Sequence, residues 1–186
     1  AVVSANHGFP TGSVTFKDNG NPLPNGVVTL STVLGQQVAT YTTSTLGVGG
    51  HNITVDYAGA WHILPSSGSL PGNPFVVIGA STTTQVGSNN SSVTYGDQLT
   101  FTALVSVNAP VIATASGSVV FMDGALVLGS VTLNGLGIAT FTTTSLGASG
   151  SPHSITAYFT PDSIQQLASN SSLAPYLQTV NKAQLS

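Results

Sequence analysis

Along the chain, apolar residues alternate with polar ones, mostly threonine and serine, in short blocks. Val14 and Phe16 flank Thr15, and Ile53, Val55 and Tyr57 are spaced by Thr54 and Asp56. Leu99, Phe101, Ala103 and Val105 are spaced by Thr100, Thr102 and Leu104; Val119 and Phe121, then Ile155, Ala157 and Phe159, repeat the spacing. Period two marks a strand that buries one face, because successive side chains leave the pleated backbone on opposite sides. No stretch keeps the 3.6-residue period of a helix. The pattern predicts an all-β chain whose apolar side chains fill the gap between two sheets while threonines line the outer faces. Asn19-Gly20, Asn25-Gly26, Asp123-Gly124 and Asn134-Gly135 interrupt the blocks and read as hairpin turns, since these residues accept positive φ.

The blocks recur in order. Gly12-Ser-Val-Thr-Phe-Lys-Asp18 returns as Gly117-Ser-Val-Val-Phe-Met-Asp123. Ala39-Thr-Tyr-Thr-Thr-Ser-Thr-Leu-Gly47 returns as Ala139-Thr-Phe-Thr-Thr-Thr-Ser-Leu-Gly147, and His51-Asn-Ile-Thr54 as His153-Ser-Ile-Thr156. The spacing is about 100 residues each time, the size of one β-sandwich domain. Phe75–Ile78 reads as the last strand of the first copy and Leu177–Val180 as that of the second, with the boundary near Gly79-Ala80. The two starts differ. Ala1-Val-Val-Ser4 lines up with Ala103-Leu-Val-Ser106, so the first copy has no counterpart of residues 82–102, including the core candidates Leu99 and Phe101. Two explanations stand side by side: a segment taken from a longer array, or an open sandwich that receives a strand from a neighbouring chain.

The run Thr94-Tyr-Gly-Asp-Gln-Leu-Thr-Phe-Thr102, followed by Gly-Ser-Val-Val-Phe-Met-Asp-Gly, Ala-Thr-Phe-Thr-Thr, His-Ser-Ile-Thr-Ala-Tyr-Phe and Thr179-Val-Asn-Lys-Ala183, resembles the bacterial Ig-like repeat family. The resemblance covers the second copy throughout and the first from about Ala1. It departs after the penultimate strand, where the family's Gly-Asp is Thr160-Pro-Asp162 in one copy and Gly59-Ala60-Trp61 in the other. The resemblance implies tandem arrays on large secreted or surface-anchored bacterial proteins, and no activity of the repeats themselves. The fold class expected is all-β: two tandem immunoglobulin-like β-sandwich domains, residues 1–79 and 80–186, the first lacking its N-terminal strand or strands.

Charge narrows the function classes. Only 4% of the residues are charged, against roughly 25% in ordinary soluble domains. Lys17 and Lys182 are the sole basic residues apart from histidine, and the acids are five aspartates. Without a basic patch, nucleic acid binding lacks its main driving force. A formal net charge of −3 spread thinly over the surface opposes self-association little. The 41% hydrophobic content suffices for packed cores. No cysteine is present, so there is neither a disulfide framework nor thiol chemistry, and no apolar run is long enough for a membrane span. No basic segment followed by an apolar core opens the chain, so any signal peptide is expected to be gone already. Localisation is expected to be extracellular or at the cell surface.

Candidate chemistry is sparse. His51 and His153 fall at the same strand start in each copy, which points to hydrogen bonding a turn rather than to catalysis; His7 and His62 have no counterpart. Asp18 and Asp123 read as turn residues, and the scattered aspartates form no calcium-binding cluster. No catalytic residue, cofactor or metal is expected. Lys17, on the outward side of its strand, is a poor donor for a Lys–Asn cross-link, which would also need an assisting glutamate. Trp61, with Tyr57 and His62, is the one aromatic cluster in a loop-like stretch and the candidate ligand contact, for instance by stacking on a sugar. The loop Asn108–Ser116 is a second candidate contact. The sequons at Asn52, Asn89, Asn90 and Asn170 carry little information in so serine-rich a chain. The expected role is a non-catalytic building block of a stalk, surface array or filament, associating with itself or with neighbouring repeats. An adhesin or carbohydrate-binding accessory module, with a glycan or cell-surface partner, is the alternative.

Overall fold

The computed structural model describes residues 1–184, all strand, turn or irregular, without a helix. Contacts divide the chain into two units, Ala1–Ile78 and Gly79–Ser186. Both are antiparallel sandwiches in outline, built from the alternating blocks described above.

In the first unit, β1 (Val2–Val3), β5 (Gln36–Val38) and β4 (Ser31–Val33) form one small sheet in the order β1-β5-β4. β3 (Asn21–Thr29), β2 (Ser13–Asp18), β7 (Ile53–Tyr57) and β8 (Ser66–Ser69) form the other, and β6 (Gly49–His51) pairs with β9 (Phe75–Val77) as a separate ribbon. The buried apolar core consists of Val14, Ala39 and Tyr57. Phe16, Val28, Val55 and Val3 pack against it but remain partly exposed.

In the second unit, β10 (Thr82–Ser88), β12 (Leu99–Val107) and β15 (Ile138–Thr143) make the first sheet. The second runs β11-β18-β16-β13-β14, from β11 (Ser92–Thr94) through β18 (Tyr176–Asn181), β16 (His153–Pro161) and β13 (Gly117–Asp123) to β14 (Leu126–Thr132), with β17 (Ser169–Asn170) paired to β16. Its core is continuous: Leu99, Phe101, Val105, Val119, Phe121, Ile155, Ala157 and Phe159 are all buried, and Phe121 is fully shielded from solvent. Gly129 serves this packing. A Cβ there would sit 2.5 Å from the ring of Phe141, which stacks on Phe121 at 5.9 Å between centroids.

Cross-strand pairing is alike in the two units. Phe16 pairs with Val55 and Val14 with Tyr57, as Phe121 pairs with Ala157 and Val119 with Phe159. Val2 pairs with Val38, as Leu104 pairs with Ile138, so β1 corresponds to the C-terminal part of β12.

The turn readings need correction. Asn19-Gly20 is a hairpin turn with both φ values positive. Asn25-Gly26 instead lies inside β3, where the register against β2 shifts between Thr15 and Lys17, so Asn25 at φ 56° forms a bulge. Asp123 is a paired strand residue opposite Leu126, and the loop is Gly124-Ala125. Asn134-Gly135 joins β14 to β15, which belong to different sheets. There the Asn134 side chain accepts hydrogen bonds from the amides of Leu136 and Ile138, an Asx-type cap on a crossover.

Candidate functional site

The most regular polar arrangement is a clasp repeated in both units. Asp18 ends β2 and His51 ends β6, and the His51 Nδ1 lies 2.6 Å from Asp18 Oδ2 while Nε2 lies 2.8 Å from the Gly47 carbonyl. In the second unit, His153 Nδ1 is 2.6 Å from Asp123 Oδ2 and Nε2 is 2.6 Å from the Gly147 carbonyl. The sequence places these histidines at a turn; it does not reveal that the aspartates are their partners. A carboxylate and a carbonyl are both acceptors, so a ring that satisfies both donates from both nitrogens. For His51 the hydrogen bond to Asp18 is the largest influence, followed by the Gly47 carbonyl, and together they raise its pKa above the usual 6.5 against the opposing effect of burial. Both nitrogens of each ring are engaged in the clasp, and among the described residues no serine or threonine hydroxyl is bonded to either ring. The clasp ties the turn at residues 47 or 147 to the end of the central hairpin.

Lys17, on the outer face of β2, is 2.6 Å from Asp56 Oδ2 and partly solvated. The pair is a surface ion bridge, without the buried acid that amide formation between the two side chains would need. Among the described residues, no group of three or more histidine, cysteine or acidic side chains is placed to hold a metal ion. Among the described residues no helix is long and apolar enough to cross a membrane.

The aromatic cluster separates. Trp61 is 87% exposed and meets the His62 ring edge-on at 5.3 Å between centroids. Tyr57 does not join them and is withdrawn as a ligand contact: it is 3% exposed, facing the core from β7, and its hydroxyl donates to the Thr11 carbonyl. Strand alternation, which pairs Tyr57 with Val14 across the sheet, outweighs nearness in sequence. The loop Asn108–Ser116 presents a fully exposed Ile112. Its ends are tied by Asn108 to Ser81 and Thr83, and by Gln166 to Thr114 and Ser116.

The first unit holds a pair of apolar hollows. One, of about 250 Å³, is lined by Phe16, Ile53, Val55 and Leu70 with Ala1 at its edge; another, of about 100 Å³, lies between Val3, Val14, Val55 and Tyr57. Ile155, Ala157, Phe159, Val119 and Phe121, their counterparts in the second unit, are buried in one cluster with Leu99 and Phe101. Two further features were not legible in the sequence. Gln178 is fully buried, its Oε1 accepting from the Ser88 hydroxyl. In the first unit the Asn73 side chain bonds both the amide and the carbonyl of Ile53, whereas in the second Ile155 pairs with Tyr176.

The family model described as bacterial Ig-like domain (group 3) matches residues 1–71 and 83–181. The chain belongs to that family. Its two matched stretches contain the two clasps, and no enzymatic family is indicated. No curated protein matches the chain. Among solved structures, the fibronectin(III)-like modules of Clostridium thermocellum CbhA are similar at 13% identity, over all of this chain and 86% of theirs, with a TM-score of 0.41. The Yersinia pseudotuberculosis adhesin InvE is similar at 15% identity, over 90% of this chain and 53% of its own length, with a TM-score of 0.33. At these scores neither superposition bears on function.

Proposed function

We propose that this pair of bacterial Ig-like domains is a non-catalytic building block of an extracellular stalk, surface array or filament, assembled in part by strand exchange between copies. The observation that carries this reading is the repetition itself. One sandwich is present twice with the same cross-strand partners and the same His–Asp clasp, and neither copy adds a reactive group to it. The thinly charged, threonine-rich surface supports it, because close approach of copies meets little electrostatic resistance. Sedimentation over a range of concentrations tests it: concentration-dependent assembly agrees with the reading, and a monomer at every concentration counts against assembly.

Exposed Trp61, braced edge-on by His62, supports a second reading as an adhesin or carbohydrate-binding accessory module. Retention of the chain on immobilised glycans that is lost in Trp61→Ala would favour it.

A further inference from the structure

Three asparagines in the chain precede glycine: Asn19, Asn25 and Asn134. We infer that the fold singles out Asn25 as a site of spontaneous modification, where the side-chain amide is lost through a cyclic imide with water as the only co-reactant.

The backbone nitrogen of the glycine attacks Cγ of the asparagine before it. The new N–Cγ bond closes the imide, the Cγ–Nδ2 bond breaks, and Nδ2 departs as ammonia with the proton of the glycine amide. Water then opens the ring at either carbonyl. One opening leaves aspartate; the other leaves an isoaspartyl residue whose backbone runs through the former side chain. Glycine favours the attack because it has no Cβ to obstruct the approach. The asparagine must turn about its side chain and its ψ so that Cγ meets the nitrogen, so a residue held by hydrogen bonds reacts slowly.

Two of the three are held. The Asn19 side chain accepts from the amide of Asn52 at 3.2 Å and donates to the Gly50 carbonyl at 3.4 Å, while its own amide donates to the Asn52 carbonyl at 3.0 Å. The Asn134 side chain accepts from the amides of Leu136 at 2.9 Å and Ile138 at 3.0 Å. Its amide donates to the Ile138 carbonyl, and its carbonyl accepts from Gly137. Rotating either side chain breaks two hydrogen bonds before any covalent bond forms.

Asn25 is exposed, and among the described residues its side chain makes no hydrogen bond. The backbone around it is loosely laddered. Thr15 pairs with Val27 and Lys17 with Pro22, so Phe16 alone stands opposite the stretch from Leu23 to Gly26. Pro22 and Pro24 have no N–H to donate, and the Pro24 carbonyl is tied from outside the sheet by the Tyr41 hydroxyl at 2.8 Å. A segment with so few ladder bonds opens locally at low cost. Asn25 already sits at φ 56°, away from extended backbone. Packing keeps the reactive pair in place: a Cβ at Gly26 would lie 2.7 Å from the Phe16 carbonyl oxygen and 2.8 Å from that of Leu23, so no residue with a side chain fits there. Either product adds a negative charge to a chain whose formal net charge is −3, and the isoaspartyl form lengthens β3 beside the Tyr41–Pro24 hydrogen bond.

Peptide mapping by mass spectrometry, on the folded chain aged in warm, mildly alkaline buffer, tests the assignment. Asn25 should convert at least about tenfold faster than Asn19 or Asn134, the delay set by the hydrogen bonds that each of those must break. In denaturant, where no fold holds any of them, the three should convert at similar rates. Asn25→Gly, which accepts positive φ and carries no carboxamide, should remove the fast phase of ammonia release from the folded chain. Conversion of Asn19 or Asn134 as fast as Asn25 in the folded chain would overturn the inference. So would the same ranking in denaturant, which would make the sequence rather than the fold the cause, or a fast phase of ammonia release that persists in Asn25→Gly.

Discussion

The two units share one fold and differ in how much apolar surface each buries. Among the described residues, fourteen apolar side chains are buried in the second core and three in the first. The differences extend beyond the contacts that β10, β11 and β12 make in the second unit. In the first unit the strand after the crossover is half as long, β9 has one neighbour, the strand that is continuous in the second unit breaks at Asn52, and Phe16 lines a hollow where Phe121 is buried. The clasp, by contrast, survives intact, because both partners and the carbonyl lie on segments that each unit possesses. A sandwich core is therefore cooperative across its sheets, whereas a hydrogen-bonded clasp at one end is local.

The comparison is broken or sharpened first by truncating the equivalent aromatics. Phe121→Ala should destabilise the second unit by about 3–5 kcal/mol, the cost of emptying a tightly packed aromatic site. Phe16→Ala should cost the first unit only about 1–2 kcal/mol, since its ring already borders unfilled space. Unfolding in denaturant, followed by hydrogen exchange resolved along the chain, separates the two. Equal costs would mean that the units are equally packed. Next, Gly129→Ala should cost about 1–3 kcal/mol by forcing the Phe141 ring off its stack on Phe121, seen as a lower melting temperature for the second unit.

A smaller effect is expected from pH. The folded-state pKa of His51 lies above 6.5, so its contribution to the first unit is fully present below that pH while Asp18 is ionised. It is lost as pH rises through the elevated value. Melting followed between pH 6 and 9 should show the first unit declining, and His51→Gln should flatten that slope. An unchanged slope would remove the clasp from the account of pH dependence. Smallest of all, Trp61→Ala should leave stability within about 0.5 kcal/mol, because the ring is exposed. A large loss would assign Trp61 to packing and end its candidacy as a ligand contact.

Strand positions, the recurrence of the blocks and the equivalence of Phe16 with Phe121 were legible in the sequence. Each depends on local alternation or on comparing one stretch of chain with another. Of the candidate contacts, the sequence located the exposed loop of Trp61 and His62 but wrongly grouped Tyr57 with them, because proximity along a strand does not say which face a side chain takes once its pairing is set. The turns at Asn25 and Asn134 were misread for a related reason: Asn-Gly signals a reversal or a bulge, and only the sheet to which the next strand belongs distinguishes them. Pairing of His51 with Asp18 and of His153 with Asp123, the burial of Gln178 and the use of Asn73 as a stand-in for a strand join residues 20 or more positions apart. Local pattern carries the period of a strand. Which strands meet, which side chains then face one another and where an unfilled volume remains are properties of the packed sheets, and the tertiary structure alone decided them.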